Sequence, residues 1–390
     1  MSFKLPKWTE LSKDEQIPIV NLPIERTYFV RGGPGTGKSI LAIHRAAKIK
    51  DLGGGGGGGG GGDGGKVKIL VYNKALQLHL MDALKSVGLD TVAQTCHSWL
   101  YQLGFKRAQG GNGLWNYDWD KVRTVAKSKA GDNGKLFSHL ILDEAQDIPR
   151  PLLEILAELS EVATIFVDDR QAISDEARKW GMVALADIRA IFDPGQSSVY
   201  DLSRNFRNTQ PILDMALAIR PLDDYDIPDT ARRTEGARPT IEKVGLQELV
   251  KHLKTYCTNQ PANTVGVAVP ETSVMYSLHS SCLDAGLNVQ IYTNRRAHSG
   301  QYRPSAAGIT ILHMDVIKGL EFDAFFVPFL DSKFYTEGEE QIRRNLLYVA
   351  CTRPREYLAL FHDAPLANFW IKKSLDDAVA AEKLVRRNSS

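Results

Sequence analysis

The chain has 390 residues, of which 43% are apolar and 24% are charged, and its 48 Lys and Arg against 46 Asp and Glu give a formal net charge of +2. This composition is typical of a globular protein with room for two or three domains, and it excludes a strongly basic protein, so a phosphate-binding groove would have to be local. The four cysteines lie far apart and form no CxxC pair, which argues against a zinc site and a disulfide framework. No stretch approaches about 18 uninterrupted apolar residues and the N-terminus has no apolar core of signal-peptide length, so we expect a soluble cytoplasmic protein with no membrane partner.

The strongest pattern is a phosphate-binding loop near the N-terminus. Tyr28 to Val30 is a β-branched and aromatic run that predicts a strand, and the apolar residues from Ile40 onward recur at helical spacing. The loop between them matches GxxxxGK[S/T] and consists of Gly32, Gly33, Pro34, Gly35, Thr36, Gly37, Lys38 and Ser39. In such a loop the backbone amides turn onto the phosphates, the lysine places a positive charge on the β and γ groups, and the serine hydroxyl ligates Mg²⁺. The loop therefore predicts binding of ATP or GTP with Mg²⁺.

A run of thirteen residues at 53–65, twelve of them Gly, follows the predicted helix. A coil of this length spans roughly 20 Å, more than a helix-to-strand connection of about 2 to 6 residues needs. Both flanks are expected to belong to one sheet, and the loop enters its next strand at the end opposite the phosphates. We therefore interpret the run as a low-complexity insertion or an artificial replacement rather than as a domain hinge.

A later strand ends in acidic residues. His139 to Leu142 reads as an apolar strand, and Asp143 and Glu144 follow at its carboxyl end. Asp143 at this position can hold Mg²⁺ through water, and Glu144 beside it can orient and deprotonate an attacking water. The pair favours hydrolysis over transfer to a hydroxyl acceptor.

Pro and Gly interrupt the pattern in "DPGQSS" at 193–198, which predicts a boundary between a first domain at 1–195 and a second at 196–390. Beyond it, "TVGVAVP", "MYSLHSSCLDAGLNVQIY" and "GITILH" predict a strand, a helix followed by a strand, and a further strand. The C-terminal segment "LDDAVAAEKLVRRNSS" has helical spacing and a basic end, so we expect a docking helix with a frayed tail. The predicted fold class is α/β, with a parallel sheet in each of two tandem domains.

The phosphate loop and the "DEAQD" segment resemble motifs I and II of superfamily 1 helicases of the UvrD/Rep type, and further motifs follow in the family's order. In the first domain, the resemblance makes Gln16 the glutamine that bonds to the adenine edge. "LVYNKALQ" resembles motif Ia with Asn73 and Lys74, and "QTCHSWL" resembles the next nucleic-acid motif with Thr95, His97 and Ser98. "TIFVDDRQAI" resembles motif III, in which Gln171 would link the γ-phosphate to the strand-binding surface.

The second domain continues the series. "LSRNFRNTQPIL" resembles motif IV, "KGLEFDAFFVP" resembles motif V, and "RRNLLYVACTRPREYLAL" resembles motif VI. The resemblance implies that Phe206 stacks on the base, that Arg207 reaches the γ-phosphate, that Glu321 contacts the ribose, and that Arg353 is the arginine finger.

The resemblance covers roughly residues 11 to 360. It implies two RecA-like P-loop domains with ATP and Mg²⁺ in the cleft between them, and an ATP hydrolase that moves along single-stranded DNA from 3′ to 5′, with RNA as an alternative strand. Ser39 and Asp143 would hold the metal. The catalytic set would be Lys38, Glu144, Gln171, Arg207 and Arg353.

Several features depart from the family pattern. Only about forty residues separate the early nucleic-acid motifs from motif II, and about a hundred separate motif IV from motif V, so the large accessory insertions look absent or vestigial. Motif III lacks the aromatic-Arg-Gly sequence that often follows the glutamine, and Trp180 is a candidate substitute. Asp315 stands where the family has a histidine before the motif V lysine, and an acidic residue is unfavourable near a phosphate backbone.

Alternating aromatics at Trp115, Tyr117 and Trp119 favour a half-buried strand or the cap of a reduced subdomain over a base-stacking surface.

Two functions remain open. One is the translocating ATPase described above. The other is an ATP-hydrolysing switch that closes on DNA, RNA or a protein partner inside a repair or defence assembly, which the short insertions and Asp315 favour. A P-loop kinase would predict an acceptor site and no motif VI, and it has little support.

Overall fold

The computed structural model describes residues 5–53, 67–71, 84, 89, 93–106, 117–168, 183–193, 195, 198–220, 230–292 and 307–387. The chain divides into two compact units, Phe3–Ser203 and Arg204–Ser390. The predicted boundary at 195/196 precedes a strand, Val199–Leu202, that pairs with the first unit's sheet. Several positions singled out in the sequence lie outside the described residues: Gly54 to Gly65, Asn73, Lys74, Trp115, Gln171 and Trp180.

The first unit is built on a parallel sheet. Its described strands are β1 (Tyr28–Gly32), β2 (Val67–Val71), β3 (Ala93–Thr95), β4 (Phe137–Asp143), β5 (Ser160–Val167) and β6 (Val199–Leu202). They pair in the order β3-β2-β4-β5-β1-β6, and every pair is parallel. The described helices are α1 (Gln16–Val20), α2 (Lys38–Gly53), α3 (Cys96–Gln102), α4 (Trp119–Lys127), α5 (Arg150–Glu158) and α6 (Leu185–Phe192).

Both faces of this sheet are buried, which explains why its central strands are almost continuously apolar. Successive side chains of a strand point to opposite faces, so Phe29 and Leu142 pack into one core while Val30 and Ile141 pack into the other. Helices α3 to α6 contribute to the first of these cores, and α1 and α2 contribute to the second. This mixed α/β arrangement around a parallel sheet fits the predicted P-loop fold.

The second unit contains a larger parallel sheet and a small strand pair. The pair is β7 (Arg204–Thr209) with β8 (Thr230–Arg233). The sheet has the order β11-β12-β10-β13-β14-β9-β15. Its strands are β9 (Thr240–Lys243), β10 (Thr264–Val269), β11 (Val289–Tyr292), β12 (Gly308–His313), β13 (Phe322–Val327), β14 (Pro354–His362) and β15 (Val385–Arg387). The described helices are α7 (Gln210–Ile219), α8 (Leu246–Asn259), α9 (Thr272–Asp284), α10 (Glu340–Cys351) and α11 (Phe369–Ala380).

The elements predicted between the second-domain motifs are confirmed, since β10, α9, β11 and β12 occupy the expected segments. The expectation of a frayed tail is wrong for residues 385–387. After α11 the chain turns back and forms β15, which pairs with β9, and the Val385 amide donates to the carbonyl of Pro239 at 2.9 Å. A three-residue edge strand is too short to show a periodic pattern in the sequence.

Short 3₁₀ turns complete the described secondary structure, at Trp8–Glu10, Ala145–Asp147, Met314–Val316 and Lys333–Tyr335. None of the helices in the described ranges is both long and apolar enough to cross a membrane.

Candidate functional site

The P-loop joins β1 to α2, as the sequence predicts. Two of its glycines adopt positive φ angles, +75° at Gly35 and +89° at Gly37, a region that side chains disfavour. A Cβ on Gly32 would lie 2.8 Å from the Cβ of Leu202, so the first glycine is required by close packing against β6. The loop conformation therefore depends on glycine for two separate reasons.

Lys38 is held inside this loop. Its ammonium donates to the carbonyls of Gly32 at 2.7 Å and Gly33 at 2.9 Å, and it pairs with Asp168 Oδ2 at 3.3 Å. Both partners of the ion pair are buried, with side chains 6% and 1% exposed. A bound phosphate would have to compete with these acceptors for the lysine protons.

Asp168 is a site residue that the sequence reasoning missed. It directly follows β5, and β5 lies between β1 and β4 in the sheet. Because the carboxyl ends of parallel strands meet at one edge, an acidic residue at the end of β5 must lie near the P-loop. Its position in the sheet, which the sequence does not show, is what identifies it.

Ser39 and Asp143, the predicted metal ligands, contact each other. The Ser39 hydroxyl donates to Asp143 Oδ2 at 2.5 Å, and the carboxylate is fully buried. Its second oxygen, Oδ1, is buried and has no hydrogen-bond partner among the described residues. Burial raises the pKa of Asp143 to about 6, and the negative charge of Glu144 adds to this. A buried carboxylate oxygen without a partner, beside a serine hydroxyl, fits a divalent cation with oxygen ligands.

Glu144 has an unusual backbone and a fixed side chain. Its φ is +57°, in the left-handed region, at the turn between β4 and the following 3₁₀ turn. Gln146 Nε2 donates to Glu144 Oε2 at 2.5 Å, while Gln146 Oε1 accepts from the backbone N–H of Asp168 at 3.0 Å. Gln146 thus links the predicted general base to the end of the neighbouring strand. Its role was not identified from the sequence.

Gln16 also reaches the P-loop. Its Nε2 donates to the carbonyl of Thr36 at 3.0 Å, and its Oε1 accepts from the backbone N–H of Ser12 at 3.0 Å. The side chain is 3% exposed. Residues from α1, β1, β4 and β5 are therefore gathered at one end of the first sheet.

Of the residues predicted to bind nucleic acid, Thr95, His97 and Ser98 lie around the start of α3. The Thr95 hydroxyl caps this helix by accepting from the backbone N–H of Ser98 at 3.0 Å. His97 is partly buried, and its Nδ1 lies 3.0 Å from the hydroxyl of Tyr117. The structure brings these three motif residues together.

The half-buried strand expected for the alternating aromatics is wrong at Trp119. This residue begins α4, because Asp118 caps the helix by accepting from the backbone N–H of Lys121. The rings of Tyr117 and Trp119 contact each other with centroids 5.5 Å apart, and both pack against the first core. A helix N-cap in "YDWDK" was the competing signal.

The second unit brings Arg207 and Glu321 together. Arg207 Nη2 donates to Glu321 Oε1 at 2.5 Å, and Arg355 Nη2 donates to Glu321 Oε2 at 3.0 Å. The charge of Glu321 raises the pKa of Arg355. Arg207 Nη1 also donates to the carbonyl of Thr352 at 3.4 Å, and its Nε is buried without a hydrogen-bond partner in the described part of the chain. The carboxylate of Glu321 thus accepts hydrogen bonds from both Arg207 and Arg355.

Arg353 lies inside the second unit. Its side chain is 1% exposed. Nε donates to the carbonyl of Val349 at 2.8 Å, Nη1 to the carbonyl of Leu320 at 3.3 Å, and Nη2 to the hydroxyl of Thr352 at 3.0 Å. These bonds join the end of α10 to the segment that precedes β13.

The ring of Phe206 contacts the guanidinium of an arginine. The guanidinium of Arg232, from β8, lies 5.7 Å from the ring centroid, within the range of a cation–π interaction. Both residues belong to the β7/β8 pair.

Asp315 lies beside His313 rather than alone. Its Oδ2 is 3.3 Å from His313 Nδ1. Burial lowers the pKa of His313, whereas the hydrogen bond and charge of Asp315 and a hydrogen bond to the backbone of Pro270 raise it, and the net shift is upward. The acidic residue of motif V therefore has a partner within its own turn.

Comparison with known proteins agrees with a helicase-like chain. Residues 25–217, just under half of the 390-residue chain, match the family model of the Schlafen group 3 DNA/RNA helicase domain. No curated protein is significantly similar in sequence. One similar solved structure is the C-terminal domain of a possible DNA helicase from Lactobacillus plantarum WCFS1, with 20% identity and a TM-score of 0.34, covering 46% of this chain and 98% of that chain. This likeness is too distant to bear on function. The matched range contains Lys38, Asp143 and Arg207, and it indicates a helicase-like protein in general rather than the UvrD/Rep type in particular.

Proposed function

We propose that this chain is an Mg²⁺-dependent ATP hydrolase of superfamily 1, of the UvrD/Rep type, that moves along single-stranded DNA from 3′ to 5′. The observation that carries the proposal is the Ser39–Asp143 contact of 2.5 Å beside the buried Lys38, at the carboxyl end of the first sheet. The helicase-domain match over residues 25–217 supports a nucleic acid as the partner of this ATP site.

Each of the four side chains at the carboxyl end of the first sheet would have its own role in hydrolysis. Lys38 would exchange its carbonyl partners for the β- and γ-phosphate oxygens. Ser39 and Asp143 would hold Mg²⁺, which when bound neutralises charge on those oxygens. Glu144, fixed by Gln146, would accept a proton from the attacking water.

The second unit would supply positive charge to the same phosphates. Arg207 has a buried Nε that lacks a partner among the described residues, so it retains a donor for an anion. We propose that two RecA-like domains, 1–195 and 196–390, hold the nucleotide in the cleft between them, and that Glu321 releases Arg207 when the γ-phosphate arrives. An arginine of this kind contributes on the order of a thousandfold or more to turnover. Coupling it to ATP would convert hydrolysis into domain motion.

A binding switch is the second candidate, and the burial of Arg353 favours it. The predicted arginine finger is 1% exposed and donates hydrogen bonds to Val349 and Leu320 of its own unit. If Arg353 stays there, ATP binding could change the conformation without rapid turnover. Such a switch would act on nucleic acid or on a protein partner in repair or defence.

Hydrolysis by purified protein tests the proposal. The wild-type chain should release phosphate from ATP only with Mg²⁺, and faster with single-stranded DNA. Glu144→Gln should bind ATP normally and lose turnover by about 100-fold or more, because a general base contributes on that scale. Glu161→Gln, which changes an exposed carboxylate on β5, is the matched control and should hydrolyse ATP like wild type. Full turnover in Glu144→Gln would contradict the assigned base. A wild-type rate without stimulation by any strand would favour the switch.

A further inference from the structure

A cavity lies at the carboxyl end of the second sheet, at its β14-β9-β15 side. Its volume is about 370 Å³, and it is lined by residues of these strands, of α11 and of the segment that joins β14 to α11. Four of the lining residues are cationic: Lys243, Lys372, Arg386 and Arg387. This cavity, called the basic cavity below, belongs entirely to the second unit and contains none of the residues predicted from the helicase motifs.

The strand register explains how these charges converge. His362 at the end of β14 lies beside Lys243 at the end of β9, and Arg386 of β15 lies beside Ile241 of β9. Since side chains alternate along a strand, Ile241, Lys243 and Arg386 share one face, whereas Arg387 and its neighbour Glu242 lie on the other face. The cavity therefore includes residues of both faces at the end of the sheet. Helix α11 lies on the first of these faces, because Arg386 Nη2 donates to Asp376 Oδ1 at 2.6 Å.

Positive charge is in excess in the basic cavity. The two carboxylates that line it, Glu242 and Asp376, each have a cationic or imidazole partner nearby: His252 Nε2 lies 3.4 Å from Glu242 Oε2, and Arg386 pairs with Asp376. Lys372 and Arg387 are exposed, and neither has a salt bridge within the described part of the chain. The cavity therefore suits an anionic ligand whose charges are spaced along a surface.

An exposed aromatic ring stands next to these cations. Phe369 is 78% exposed, more than any other large apolar residue in the described ranges. It begins α11 and lies one turn before Lys372, so the two side chains are neighbours on the helix surface. A free phosphate has no surface that can stack on this ring, whereas a nucleic-acid base can stack on it.

We propose that the basic cavity and Phe369 form a second contact for single-stranded nucleic acid, in which Lys372 and Arg387 bind backbone phosphates and Phe369 stacks on a base. The position agrees with the general rule that ligands bind beyond the carboxyl ends of parallel strands. The inference rests on the proposed function in so far as that function requires a nucleic-acid strand.

Fluorescence anisotropy with a labelled oligothymidylate tests this contact in the full chain. Lys372→Ala/Arg387→Ala should weaken binding roughly tenfold at low salt, and the slope of log K against log salt should become shallower by about 1.4, at about 0.7 for each lost phosphate contact. Phe369→Ala should weaken binding at least about fivefold and leave the slope unchanged, because stacking involves no counterion release. Lys251→Ala/Lys254→Ala removes the same charge from the exposed surface of α8 and should have no effect.

The outcomes separate this inference from the proposed function. If wild type binds the oligonucleotide and Lys372→Ala/Arg387→Ala has the same affinity and slope, the second contact is wrong while strand binding stands. If inorganic phosphate binds wild type but not Lys372→Ala/Arg387→Ala in titration calorimetry, while both proteins bind the oligonucleotide equally well, the cavity is a free-anion site and the inference is wrong. If wild type binds no strand at all, both the inference and the proposed function fail.

Discussion

Replacing Gln146 by Ala tests how the proposed general base, Glu144, is held. Gln146 is 3% exposed and joins Glu144 Oε2, at 2.5 Å, to the backbone N–H of Asp168, at 3.0 Å. Gln146→Ala removes a hydrogen bond from each of these buried groups, and each loss costs about 1–3 kcal/mol if the group finds no new partner. We therefore expect the free energy of unfolding to fall by about 2–6 kcal/mol.

Turnover should fall more selectively than ATP binding. Gln146 bonds to Glu144 and not to the P-loop, so Gln146→Ala should lower kcat by about 10- to 100-fold and leave KM for ATP nearly unchanged. The loss should act through Glu144. Adding Gln146→Ala to Glu144→Gln should therefore cause little further loss of kcat.

The test measures kcat and KM by steady-state ATP hydrolysis, and the free energy of unfolding in urea. Four proteins are compared: wild type, Gln146→Ala, Glu144→Gln and the double variant. Gln290→Ala is the control, because it loses a hydrogen bond of 2.9 Å to Thr310 in the second sheet and should reduce stability alone. A wild-type kcat in Gln146→Ala would refute the reasoning. So would a double variant in which the two losses multiply in full.

Two further predictions concern the P-loop and motif V. Gly37 has φ +89° and a Cβ there would lie 2.6 Å from Gln16 Nε2, so Gly37→Ala should weaken ATP binding by about tenfold or more. The control is Gly104→Ala, at φ +96° with no atom within 4 Å of the added Cβ, which should cost only about 1 kcal/mol of stability. Equal ATP affinity in the two variants would contradict the role assigned to Gly37. Because Asp315 raises the pKa of His313, their pair should stabilise the fold fully below about pH 6.5 and lose that contribution as the pH rises through the folded pKa. Since Asp315 is 55% exposed, the effect should stay under about 1 kcal/mol in urea unfolding, and a pH profile unchanged in Asp315→Asn would exclude it.

The first-unit site was predictable because its residues lie at the ends of strongly patterned strands. Tyr28 to Val30 and His139 to Leu142 are apolar runs, and in a parallel sheet their carboxyl ends share one edge. The sequence therefore brings Lys38 and Asp143 together without knowledge of strand order. Asp168 was missed because its position depends on β5 lying between β1 and β4, which only the topology reveals.

In the second unit, the motifs identify residues but do not determine where their side chains point or which residues they contact. A motif names Arg353 but not where its guanidinium points, and that is set by the carbonyls at the end of α10 and before β13. Likewise, the pairing of Arg207 with Glu321 joins residues 114 positions apart. The C-terminal strand formed by 385–387 depends on pairing with β9, a contact that local propensity cannot predict.

The most direct test of the translocating ATPase is the rate of ATP hydrolysis on single-stranded DNA of increasing length, at a fixed total concentration of nucleotides. A protein that moves along the strand dissociates less often per ATP hydrolysed as the strand lengthens, so the stimulated rate should rise with length towards a plateau. Glu144→Gln should stay at background at every length. A rate that is not stimulated, or that is stimulated equally by the shortest and longest strands, would contradict translocation.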